Sequence, residues 1–334
     1  MIMCSSLPWP WHLSIYAQLN RSWQLQRLPH ALLLHGAAGL GKVQFARWLA
    51  HAVLCERAGP QLQPCESCAS CKLNQAGSHP DLLLIAPEED KQQISVDQIR
   101  AANERLNITS TRNGYRVAIV EPAHQMTTAA ANSLLKTLEE PGARSLIILV
   151  SAQPARLLPT LRSRCQQMGV PIPAADVSQA WLEQHTGKPV SSEVLRYAGG
   201  APLRALACNE TSFATLRQTM FAELTALSDG SADLVQLAQS WAEEKQPLER
   251  VLERLHWLDY WVAERIQREI FRNADPVTRQ TLQEAEQVLN IRPLFQVQDK
   301  LRELKSQLRR TAVQRELALI TILTMVTQAL QART

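Results

Sequence analysis

The sequence predicts an α/β domain built on a parallel sheet with helices on both faces, followed by a small helical domain and an all-α C-terminal domain. Three observations carry that expectation. Short apolar runs alternate with helical stretches through the first half of the chain, a glycine-rich turn joins the first run to a helix, and past residue 211 apolar residues recur only at helical spacing. Continuous apolar runs are the pattern of strands buried on both faces, and strands separated by helices pair in parallel.

In chain order, the strands read Ala31–His35, Asp81–Ala86, Arg116–Glu121, Leu146–Ser151 and Gln166–Val170. Ser95-Val96-Asp97-Gln98 starts a helix between the second and third, because Ser95 can cap the backbone and Gln98 can return the bond. Thr127 or Thr128 starts another, which carries Ala131, Leu134, Leu135 and Leu138 on one stripe and ends at Pro141. Pro171-Ile172-Pro173-Ala174-Ala175 reads as a linker, since two prolines two apart block both helix and central strand. The first domain therefore spans 1–170. Residues 171–207 hold short helices broken at Gly187 and at Gly199-Gly200, and 208–334 are helical, with Leu248, Val251, Leu252, Leu255, Leu258 and Val262 on one face. Trp257 and Trp261 fit the same stripe.

With 334 residues, 46% hydrophobic and 20% charged, the chain has an ordinary folded composition, and its 18 prolines and 12 glycines form no biased tract. Its 35 basic and 31 acidic residues are too evenly balanced to argue for nucleic acid by themselves. No apolar run approaches the ~18–20 residues of a membrane span. No Lys or Arg precedes an apolar core in the first 20 residues, so a signal peptide is not expected and the expected location is the cytoplasm. Seven cysteines, an odd number, point in a reducing compartment to metal binding where they cluster.

The first strand runs into Gly36-Ala37-Ala38-Gly39-Leu40-Gly41-Lys42-Val43, a G-x-x-x-x-G-K loop between strand and helix. Such glycines let backbone N–H groups approach phosphates, and Lys42 would reach the terminal ones. A working loop ends in Ser or Thr, whose hydroxyl ligates Mg²⁺, and Val43 has no oxygen to offer. Beyond the third strand a hydrolysing site of this class wants Asp-Glu, the first carboxylate for the metal and the second to activate water. Glu121 replaces the first and Pro122 the second. The two losses argue against hydrolysis. They leave two readings of the loop, a degenerate site in which Lys42 still holds ATP and a strand-to-helix turn with no ligand.

Cys55, Cys65, Cys68 and Cys71 give C-x9-C-x2-C-x2-C, four thiolates with the spacing of a tetrahedral structural zinc site. A complete sulfur shell leaves no position for a catalytic water. Cys4, Cys165 and Cys208 stand apart, and His79 reads as a loop residue rather than a further ligand. Trp9 and Trp11, flanking Pro10, read as packing anchors rather than platforms for bases.

Several stretches together resemble bacterial clamp-loader subunits of the AAA+ family: Leu28–Leu34, Gly77–Asp81, Ser95–Arg100, Ala129–Pro141 with its L-L-K-T-L-E-E-P ending, and Leu158–Cys165. The resemblance covers roughly residues 8–206. It implies an AAA+ P-loop-type domain with a zinc module inserted over 55–78, a lid over 171–207 and a C-terminal collar that oligomerises. In that family the ATP-hydrolysing subunit keeps the hydroxyl and both carboxylates, so Val43 and Pro122 point to a non-hydrolysing subunit. The resemblance also implies that Ser163-Arg164-Cys165 lies at the domain edge, with Arg164 reaching the ATP of a neighbour as an arginine finger. Without it, Arg162 and Arg164 read equally well as decoration of a loop. Arg204 falls at the family's second sensor position and Ser151-Ala152-Gln153 at the first. The implied partners are the motor (gamma/tau-type) and delta subunits of a ring, and through the ring a sliding clamp and primer-template DNA, with polymerisation left to the rest of the holoenzyme. Two competing expectations are a hydrolysing motor subunit, opposed by Val43 and Pro122, and a zinc-dependent DNA-binding protein. Against the second, residues 57–72 contain only Arg57 and Lys72 as basic groups.

Overall fold

The computed structural model describes residues 8–89, 91–112, 114–208, 210–242, 248–273, 292–308 and 315–331. The chain divides into two compact units, Met1–Cys208 and Asn209–Thr334. Residues 171–207 thus pack within the first unit.

The first unit runs α1 (Leu13–Gln24), β1 (Ala31–His35), α2 (Lys42–Val53), α3 (Ala69–Gln75), β2 (Leu82–Ile85), α4 (Val96–Asn107), β3 (Arg116–Val120), α5 (Thr128–Glu139), β4 (Ser145–Ser151), α6 (Pro159–Arg162) and β5 (Gln166–Gly169). After these come α7 (Ala175–Thr186), α8 (Ser192–Tyr197) and α9 (Pro202–Ala207). The strands form one sheet in the order β2-β3-β4-β1-β5, each neighbouring pair parallel. Ligands of open α/β sheets bind outside the carboxyl ends of the strands, and β1 delivers the glycine-rich loop there.

Strand bounds lie within a residue or so of the expected ones, and side-chain chemistry explains the differences. Asp81 stays outside β2 because its buried carboxylate accepts from the Thr111 backbone N–H at 3.0 Å and sits 3.4 Å from Arg116 Nη2. β3 stops at Val120, just before Glu121 and the proline that follows it, which has no N–H to extend a ladder.

Helix starts follow their caps. Ser95 and Gln98 make the reciprocal capping box that opens α4, and the Thr127 hydroxyl accepts from Ala130 to open α5. One sheet face takes α4 and α5: Leu33, Ala118, Val120, Ile147 and Leu149 pack there with Ile99, Leu106, Leu134 and Leu138. Each such fully buried Leu or Ile contributes about 1.5–3 kcal/mol.

The second unit contains α10 (Glu210–Ser228), α11 (Leu234–Ala242), α12 (Leu248–Asn273), α13 (Arg292–Leu308) and α14 (Arg315–Gln331). Val251, Leu255, Leu258 and Val262 are buried along α12 as the spacing predicts, together with Trp257 and Trp261, while Leu252 is half-buried. Glu223 receives the Trp241 indole N–H at 3.1 Å and pairs with Arg254 at 3.5 Å, which ties α10 to α11 and α12. No helix among the described residues is long and apolar enough to cross a membrane.

Candidate functional site

The glycine-rich loop leaves β1 at Gly36 and enters α2 at Lys42, with Gly41 as the N-cap at φ 72°. Gly41 must be glycine for a second reason. A Cβ there would lie 2.0 Å from Trp9 Cζ3, because the Trp9 ring covers the loop. Gly39, at φ 83°, is closed upon from the other side, where an added Cβ would meet Arg204 Cβ at 2.7 Å. The Leu203 N–H completes that contact by donating to the Gly39 carbonyl at 3.1 Å. Gly36 abuts the Val170 carbonyl.

The loop's other carbonyls are also engaged from within. Trp11 Nε1 donates to Leu40 O at 2.9 Å, and His12 Nε2 lies 2.8 Å from the same oxygen. A carbonyl only accepts, so His12 carries its proton on Nε2. Burial pushes the His12 pKa down to about 4, against the pull of the Leu40 hydrogen bond. Trp181 of α7 then meets both Trp9 and Trp11 edge-to-face at 5.3 Å, the two tryptophans lie tilted at 5.4 Å, and His185 stacks on Trp181 at 3.9 Å. Aromatic packing therefore holds the chain's start, the loop and α7 as one block.

Lys42 is buried, and its ammonium donates to Ala37 O at 2.6 Å. Burial lowers its pKa while the charge of Glu121 opposes that shift. One of the three ammonium donors is thus engaged by the loop's own backbone. Val43, next along, brings no oxygen. Past Pro122, His124 Nδ1 lies 3.1 Å from Ser151 Oγ, which also accepts from the Gln153 N–H. Lys42, Glu121 and Ser151 are thus gathered at the carboxyl end of the sheet.

Arg164 has a different setting. It follows α6, beyond the end of α5, and its side chain is 36% exposed. Nε donates to Glu139 Oε1 at 2.8 Å, Nη2 lies 2.5 Å from the same oxygen, and Nη1 donates to Thr160 O at 3.1 Å. Ser163 Oγ donates to Thr160 O as well, and the Cys165 thiol is buried beneath, where desolvation pushes its pKa up to about 11. Cys165 is thus a core residue that fixes the backbone under the arginine.

The four clustered cysteines converge. Their sulfurs lie within 4.8 Å of one another, with Cys55–Cys68 at 3.9 Å and Cys65–Cys71 at 4.0 Å. A tetrahedron with Zn–S bonds of about 2.3 Å has edges of about 3.8 Å, whereas a disulfide would require about 2.05 Å. Glu66, at φ 57°, makes the tight turn between Cys65 and Cys68. Backbone N–H groups of Cys65, Cys68 and Cys71 point at the sulfurs of Cys55, Cys65 and Cys68, each at 3.4 Å. Hydrogen bonds from the Ser67 N–H and hydroxyl, then from the Cys68 N–H, hold the Cys65 thiol down to about 6, while burial pushes Cys55 and Cys71 upward. The donor set fits a soft dication in a closed shell, and these four residues could hold one metal ion. His79 is not in this group; its buried Nδ1 accepts from the Asp81 N–H at 3.1 Å. Cys208 is likewise outside it, and Cys4 lies outside the described residues.

Sequence reasoning assigned Trp9 and Trp11 to packing but did not reach what they pack on, nor the Glu139–Arg164 pair. Only the second left a trace. A carboxylate at the last residue of a helix opposes the helix dipole and invites a search for its cation.

Fold and site define a P-loop protein of the AAA+ kind, with a four-cysteine cluster that could hold a metal ion inserted after α2. Family models described as "DNA polymerase III, delta subunit" and "DNA polymerase III, delta subunit, C terminal" match residues 11–173 and 212–328. DNA polymerase III subunit delta' of Pseudomonas aeruginosa is 36% identical over 72% of this chain and 73% of its own length. The Escherichia coli subunit delta' is 36% identical over 75% and 73%. DNA polymerase III subunit tau of Bacillus subtilis is 36% identical over 42% of this chain and 24% of its own. The chain belongs to the delta-prime subunit family of the DNA polymerase III clamp loader.

Proposed function

We propose that this chain acts in the clamp loader without hydrolysing ATP itself, and that it completes the ATP site of a neighbouring motor subunit with Arg164 as an arginine finger. The observation that carries the reading is the disposition of that guanidinium. It is partly exposed, donates hydrogen bonds from Nε and Nη1 and holds Nη2 in ion-pair contact with Glu139, and a guanidinium has five N–H donors. Donors on its terminal nitrogens therefore remain for a further acceptor such as a phosphate oxygen. Charge supplied in this way to a transferring phosphoryl group accelerates the step by roughly 10³–10⁵ in well-studied cases.

The chain's own loop supports the other half. Lys42 gives one donor to Ala37 O, Trp9 covers Gly41, Val43 cannot ligate Mg²⁺ and Pro122 cannot activate water. ATP binding by this chain is accordingly not expected, and Arg204 serves to pack on Gly39. Residues 208–334 would form the collar by which the chain joins motor (gamma/tau-type) and delta subunits, and the ring would act on a sliding clamp and primer-template DNA. Zinc at Cys55, Cys65, Cys68 and Cys71 would be structural, cross-linking the insert.

The test is to assemble the chain with motor and delta subunits and to measure clamp- and DNA-stimulated ATPase with Arg164→Ala. Unchanged ATPase and clamp loading by the variant would exclude the finger. Metal analysis that finds about one zinc per chain, lost in Cys68→Ser, checks the cysteine site.

A further inference from the structure

Glu139 closes α5 with a carboxylate, and Glu140 follows it. Both carboxylates stand at the negative end of the helix dipole, an unfavourable place for an anion. Glu139 nevertheless aims one oxygen at the Arg164 guanidinium, contacting Nε and Nη2 together at 2.8 and 2.5 Å, while Thr160 O takes Nη1 at 3.1 Å. Glu139 takes the Nε/Nη2 edge of the guanidinium and Thr160 takes Nη1. An arginine has several rotatable bonds, and a single acceptor would leave the plane free to swing. Two acceptors on different edges fix it. With Glu139 half exposed and Arg164 36% exposed, such a pair adds little to folding stability, so its geometry has another use.

We propose that Glu139 is the positioning residue for Arg164: it sets the guanidinium plane so that the donors left on the terminal nitrogens meet a phosphoryl group presented by an adjacent subunit. This rests on the in-trans reading of Arg164. Glu139 touches neither nucleotide nor reacting atoms, and it acts only through the arginine. The carboxylate also tempers the cation, so that the finger stays folded against its own domain until a phosphate competes for the outward donors.

The test uses the assembled loader with Arg164→Ala, Glu139→Ala, Glu139→Gln and the double variant Glu139→Ala/Arg164→Ala. It reads stimulated ATPase kcat, the ATP concentration at half-maximal rate, ring assembly and thermal stability. Glu139→Ala should lower kcat by about tenfold, a fraction of the loss from Arg164→Ala, because the arginine is present but misaimed. Half-saturating ATP, assembly and stability should not move. Glu139→Gln keeps an acceptor oxygen and should recover part of the rate, and the double variant should match Arg164→Ala. A wild-type rate for Arg164→Ala overturns the finger itself. A strong effect of Arg164→Ala beside a wild-type kcat for Glu139→Ala overturns the positioning role alone. A double variant slower than Arg164→Ala also overturns it, since Glu139 would then act without the arginine.

Discussion

The glycine-rich loop and the Arg164 edge belong to the same domain, yet their polar groups face opposite ways. At the loop, Lys42, His12, Trp11 and Leu203 spend their donors on the loop's own carbonyls, and Trp9 seals Gly41. At the edge, Glu139 and Thr160 accept from Arg164, whose side chain stays 36% exposed. A cation that is held but not consumed becomes something a neighbour can use.

Four substitutions or conditions break or sharpen this contrast, from the largest effect down. Arg164→Ala should slow ATP turnover at the site it completes by about 10³-fold. The same variant should shift stability by less than about 1 kcal/mol, because its ion pair with Glu139 is substantially exposed. Denaturant melts beside assembled-loader ATPase check both halves. Trp9→Ala should do the reverse. Removing a 1% exposed indole from the loop should cost about 3–5 kcal/mol in denaturant unfolding, and loader activity should fall only with the folded fraction.

The third effect is one of pH. Burial holds His12 neutral with its pKa at about 4 against an ordinary 6.5, so between these values the unfolded chain binds the extra proton. Stability should therefore fall as pH drops from 6.5 toward 4, by about 3 kcal/mol in all. Unfolding across that range should lose this slope in His12→Gln. The smallest effect belongs to Gly39→Ala, where a positive φ and the approach of Arg204 Cβ should together cost about 2 kcal/mol by thermal melting, without creating or abolishing ATPase.

The sheet was legible in the sequence because its strands are buried on both faces and so read as unbroken apolar runs. Ser95 with Gln98 and the cysteine spacing were legible for a similar reason, since each is a local contact fixed by a few intervening residues. The order β2-β3-β4-β1-β5 and the closure of the loop were not. Trp9 meets Gly41, Leu203 meets Gly39 and Glu139 meets Arg164 across long stretches of chain, where spacing carries no signal. Val43 and Pro122 told of lost chemistry, and only the folded loop tells that its glycines persist as joints. Lys42 illustrates the gap best. Its motif implies a phosphate ligand, and its geometry gives it the Ala37 carbonyl.

The central claim is that the chain's own phosphate site is closed and that its part in chemistry lies at a neighbour's. Steady-state ATP hydrolysis by the purified chain alone, with Mg²⁺ and saturating ATP, tests it most directly. The account predicts a rate indistinguishable from that of buffer. Turnover that Lys42→Ala abolishes and Arg164→Ala spares would contradict it.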